Sequence, residues 1–115
     1  MSVQNSFTNP AFKGVYKVTM PNVKNVANEN EKNAVAEAIV NTSVMGINMS
    51  AAEPKISNDN NSVYFKVDDK NNSAFEAGFK NILDDCNKRF NTDLAQKVYC
   101  TKVDENEYNK ANPLK

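Results

Sequence analysis

The stretch from Ser73 to Phe90 constrains this chain more than any other. Phe75, Phe79, Ile82, Leu83, Cys86 and Phe90 recur at i, i+4, i+7, i+8, i+11 and i+15, the spacing that gathers apolar side chains on one face of an α-helix. Ser73-Ala74-Phe75-Glu76 opens the stretch as a capping box, with serine at the cap and glutamate three residues on. A helix with such a stripe must bury it against another element, and the rest of the chain supplies strands and one more helix.

A strand is expected over Lys13 to Met20, where Tyr16, Val18 and Met20 alternate with Lys17 and Thr19 before Pro21 ends the run. A helix follows from Glu29 to Met45. Asn28 is its cap, Glu29 and Glu31 suit its positive end, and Val35, Ala38, Ile39, Thr42 and Met45 make its inner stripe. Gly46-Ile47 reads as a Schellman stop. A hairpin comes next, with a weak strand from Glu53 to Ser57, a turn over Asn58 to Asn61 and a stronger strand from Ser62 to Asp68. Pro54 cannot donate to a ladder, so the weak strand belongs at a sheet edge. After the second helix, Lys97 to Val103 makes a last strand rich in β-branched and aromatic residues.

The order β-α-β-β-α-β has few three-dimensional solutions once crossovers are right-handed. The expected fold is therefore α+β, a ferredoxin-like sandwich whose four-stranded antiparallel sheet carries both helices on one face. Val18, Ile39, Phe65, Val67, Phe79 and Ile82 should share its core. Gly78, Ala74 and Ala77 thin one flank of the second helix, as Ala34 and Ala38 thin the first, which allows close packing between them. A chain of 115 residues suits one domain. That domain is placed at residues 12–103, between a flexible N-terminal tail at 1–11 and a flexible polar C-terminal tail at 104–115.

Composition narrows the chemistry. Fourteen basic residues balance fourteen acidic ones, so no net field gathers nucleic acid or an anionic membrane. The absence of histidine removes Ser-His-Asp and Cys-His catalysis and imidazole metal sites. Arg89 is the only guanidinium, which rules out a set of bidentate arginines on a phosphate. Cys86 and Cys100 form no C-x-x-C, and Cys86 lies on the helix stripe as a small hydrophobe. Asp69, Asn71 and Ser73 begin like a calcium loop, but Ala74 stands where that loop needs glycine and Lys80 where it needs glutamate. Asp84 and Asp85 are adjacent on a helix and do not face each other. No catalytic, cofactor or metal site is expected, and the chain does not read as an enzyme. With no basic leader and no long apolar run, it is expected in the cytoplasm and away from membranes.

Two helices on one side of a sheet leave the other side open. Alternation puts Val15, Lys17 and Thr19 there from the first strand and Tyr64 and Lys66 from the third, joined by Tyr99 and Thr101 from the last if Val98 and Cys100 face the helices, a phase the sequence leaves open. Lys17, Thr19, Tyr64, Lys66, Tyr99 and Thr101 are therefore the expected partner-binding residues, with the edge strand at Lys55 and Ile56 as a second surface. The role expected first is a non-enzymatic protein-interaction or regulatory module, binding another protein or a second copy of itself. The alternative is a single-stranded nucleic-acid binder using Lys17, Tyr64, Lys66 and Tyr99, although Ser62 to Asp68 lacks the basic-glycine-aromatic opening of an RNA-recognition motif. On either reading Tyr64 and Lys66 are exposed, and replacing them should change stability by no more than about 0.5 kcal/mol.

Overall fold

Alternation along the first strand sorts the molecule into two layers. In the computed structural model, which describes residues 14–114, Tyr16, Val18 and Met20 join the main core while Val15 belongs to a separate cluster on the opposite face. The elements are β1 (Val15–Thr19), α1 (Glu29–Met49), β2 (Lys55–Ile56), β3 (Ser62–Lys66), α2 (Asn72–Phe90), β4 (Tyr99–Val103), α3 (Glu105–Lys110) and β5 (Asn112–Pro113). The strands form one antiparallel sheet in the order β4-β1-β3-β2-β5. Helices α1 and α2 lie against the face carrying Tyr16, Val18, Phe65 and Val67.

Among the described residues five strands and three α-helices stand where the sequence alone leads to four and two. The difference lies in the C-terminal segment, for which the sequence alone suggests a flexible polar tail. From Asp104 onward it turns back across the sheet as α3 and then pairs with β2, Lys55 opposite Pro113 and Ile56 opposite Asn112. The expected edge strand is consequently an inner one. A helix of six residues is marginal alone, and this one is held by Tyr108, buried with Val15 and Tyr64. The expected tail at 1–11 lies outside the described residues.

Two helix boundaries also differ. Helix α1 continues through Gly46 to Met49 and ends at Ser50, whose hydroxyl donates to the Gly46 carbonyl at 2.5 Å. Gly46 is thus a packing position within the helix. A β-carbon there would lie 2.5 Å from the Phe65 ring, so the missing side chain lets α1 settle on β3. Helix α2 begins one residue before Ser73, continuing from a 3-10 turn at Asp69–Asn71, and no side-chain hydrogen bond caps it. Glu76 is therefore not a capping residue. Its carboxylate accepts the Tyr16 hydroxyl instead, at 2.5 Å.

The centre of the core is Phe75. It is fully buried, stacked on Tyr16 with ring centroids 4.6 Å apart and tilted against Phe65 at 6.1 Å. Ile39, Phe79 and Ile82, expected at that centre, are only partly buried at its margin. The flanks of the two helices do meet closely, since Gly78 lies directly beneath the Met45 side chain.

Candidate functional site

The six residues expected on an open sheet face do lie on one face. Lys17 stands opposite Tyr64 on one side and Thr101 on the other, and Thr19 opposite Tyr99. That face is not open along its whole length. Helix α3 covers the end carrying Lys17, Tyr64 and Lys66, and Tyr64 is 4 % exposed. The Tyr64 hydroxyl donates to Glu107 at 2.7 Å, the Lys17 ammonium pairs with Glu107 at 3.1 Å, and Lys66 pairs with Glu105. The Tyr108 hydroxyl donates to the Glu53 carbonyl at 2.5 Å, with the Lys55 amine 4.6 Å from the centre of its ring. Thr19, Tyr99 and Thr101 lie beyond this cover, Tyr99 at 45 % exposure. A sequence signal for α3 existed: Asp104 caps it by accepting from the Glu107 amide at 3.0 Å, a D-x-x-E capping pattern followed by an aromatic residue.

The opposite margin of the sheet offers a different surface. Gly14 accepts from the Val67 amide at 2.7 Å and Met20 donates to Asn61 at 2.8 Å, so the even-numbered residues of β1 exchange backbone bonds with β3. By the alternation of an antiparallel ladder, Val15, Lys17 and Thr19 then bond to Val103, Thr101 and Tyr99 of β4. The N–H and C=O of Cys100 consequently point away from the sheet. Among the described residues no strand pairs with this outer edge of β4. Directly beside it, between β4 and α2, is a cavity of about 420 Å³. Its walls are mainly apolar, built from Phe79 and Leu83 of α2 and from Ala95, Val98 and Cys100, with Tyr99 also bordering it. Glu76 and Lys80 supply its charged groups. The Lys80 amine pairs with Asp84 at 3.0 Å, and among the described residues Glu76 makes no ion pair. The sequence reading did not find this cavity.

Compared with known proteins, the chain matches no family model, no curated protein and no solved structure at a significant level.

Glu37, Asp85 and Cys86 bring their ligand atoms within 4.8 Å of one another, but the Arg89 guanidinium pairs with Glu37 and lies 2.9 Å from Asp85. A fixed cation of the protein thus offsets one of the two carboxylate charges and ties α1 to α2. Both cysteines are free thiols. Burial, reinforced by the Glu76 carboxylate, pushes the Cys100 thiol from 9.0 up to about 12. Burial and then Asp85 also raise Cys86. Tyr16 and Tyr64 are raised as well, first by burial and then by their bonds to Glu76 and Glu107. No described helix is long and apolar enough to cross a membrane.

These shifts set the alkaline limit of the fold. Each group holds its proton more tightly folded than unfolded, so its contribution is complete below the unfolded pKa and is lost as pH rises through the folded one. The urea midpoint should be level from neutral pH to about 9 and fall between about 9 and 12, the interval spanned by Cys100. A midpoint unchanged across that interval would show that these groups ionise alike in both states.

Proposed function

We propose that the protein is a non-enzymatic interaction module of ferredoxin-like topology that takes up an extended segment of a partner protein along the outer edge of β4. The order β4-β1-β3-β2 supports the topology, with α3 and β5 as additions beyond it. The observation carrying the function is the adjacency of that edge to the apolar cavity between β4 and α2. In β-strand addition the backbone groups of a sheet edge supply affinity, and a pocket for an alternate side chain supplies selectivity. This margin has both parts. The other margin is already taken, because the chain's own Asn112–Pro113 pairs with β2, and a strand of two residues containing proline makes a poor template for another.

A separate partner fits better than a second copy of this chain. Lys102 of β4 points to the helix-bearing side, its amine 5.5 Å from the centre of the Tyr16 ring, and 8 % of the residue is exposed. An inward lysine on an edge strand discourages open-ended pairing between identical edges. The nucleic-acid reading loses support for a related reason, since the Lys17 and Lys66 ammoniums it needs are paired with Glu107 and Glu105.

Peptides selected from a random display library against the immobilised full-length chain test the proposal, followed by amide NMR of the chain with a selected peptide. The expected footprint centres on the Cys100 amide and its two neighbours and spares Lys55 and Ile56. Affinity should change by less than about threefold between about 50 and 200 mM salt, where a contact with many phosphates would lose orders of magnitude. A footprint centred on Lys17, Tyr64 and Lys66 would overturn the edge reading.

A further inference from the structure

The charge lining the β4 cavity specifies the side chain it accepts. Glu76 stands among apolar walls, and the Tyr16 hydroxyl bonds its Oε2 at 2.5 Å. The other oxygen has no hydrogen-bond donor or cation among the described residues, and the amine of Lys80, which also lines the cavity, is held by Asp84. A carboxylate beside apolar surface is best satisfied by a charged donor that brings its own apolar stem. Lysine matches that description: four methylenes to lie along Phe79, Leu83 and Val98, ending in a compact ammonium. Arginine matches less well, because its planar fork favours both oxygens of a carboxylate and Tyr16 already occupies one. An acidic side chain would meet Glu76 with like charge.

We infer that the cavity between α2 and β4 accepts a lysine side chain from the partner segment, its stem against Phe79, Leu83 and Val98 and its ammonium on Glu76. The inference rests on the edge reading for the source of that side chain. The complementarity of the cavity itself is independent of it. Lysine specificity would arise from one carboxylate among apolar walls, while the outward backbone groups of Cys100 fix where along the partner the lysine must fall.

The test uses n-butylammonium, n-butanol and butyrate as probes, titrated into the full-length chain and followed by methyl and amide NMR. Butylammonium should shift the Leu83 and Val98 methyls and the Cys100 amide. Butanol should bind about tenfold more weakly and butyrate more weakly still, since only the ammonium gains the charge-assisted bond. In Glu76→Gln, which retains an acceptor for Tyr16, the advantage of the amine over butanol should disappear while butanol binding persists. Equal binding of butyrate and butylammonium to the wild-type chain would overturn the inference, and that comparison needs no variant. Library peptides separate the two readings. Peptides that footprint Cys100 with no preference for lysine, together with no advantage of the amine, would reject the lysine site and leave the edge standing. Amine binding that depends on Glu76, with peptides leaving Cys100 unperturbed, would reject the edge and keep the cation-selective cavity.

Discussion

Phe75→Ala should cost about 3 to 5 kcal/mol of folding free energy, the range for deleting a buried aromatic ring from a core that cannot collapse into the space. The ring is fully buried and touches both Tyr16 and Phe65, so its loss removes the aromatic contact joining α2 to β1 and β3. Phe79→Ala should cost clearly less, because Phe79 lies at the core margin and lines the cavity beside β4. Urea denaturation of the two variants against wild type measures the difference. Equal losses would mean that the cavity is closed in solution and that Phe79 packs there as tightly as Phe75 packs within.

That contrast marks how far the sequence was legible. The stripe from Phe75 to Phe90 identified the helix correctly, because a periodicity of 3.6 depends only on the helix itself. It could not rank the residues within the stripe, since burial depends on where the sheet ends, and the sheet ends at β4 before reaching Phe79 and Leu83. The same limit governs Glu76. Three residues after Ser73 it has the spacing of a capping partner, yet Tyr16, 60 positions away, takes its carboxylate. Local patterns carry local geometry, and a competing long-range bond is invisible to them. Strand phase was legible for β1 and β3 for the complementary reason, since alternation depends only on the strand itself, whereas the sequence left the phase of the last strand open, and the structure turns Val98 and Cys100 toward the helices and Tyr99 and Thr101 away. The candidate surface was only half legible. Alternation sorts side chains by face and is silent on whether another segment covers that face, and the cavity is bounded by residues from separate elements.

The covering segment yields the second large effect. Tyr108→Ala should destabilise the fold by roughly 2 to 4 kcal/mol, somewhat below the cost of a central aromatic because α3 lies at the periphery. Tyr108 is the largest apolar contribution of α3, and without it the segment is held to the sheet mainly by the Lys17 and Lys66 ion pairs, the Tyr64 hydroxyl's bond to Glu107 and the short pairing of Asn112–Pro113 with β2. Partly exposed ion pairs such as Lys17 with Glu107 are worth no more than about 1 kcal/mol each. Tyr108→Phe keeps the ring and loses only the hydroxyl's bond to Glu53, so about 1 kcal/mol is expected. Tyr64, 4 % exposed beneath α3, becomes the reporter. Its side-chain signals should shift strongly in Tyr108→Ala and little in Tyr108→Phe. If Tyr108→Ala leaves both the urea midpoint and the Tyr64 signals unchanged, α3 is not seated on the sheet in solution, and Lys17, Tyr64 and Lys66 regain the accessibility that alternation alone assigns them. The stability of this variant therefore decides between the two candidate surfaces: a large loss keeps the covered face structural and leaves the β4 margin as the place where a partner can add.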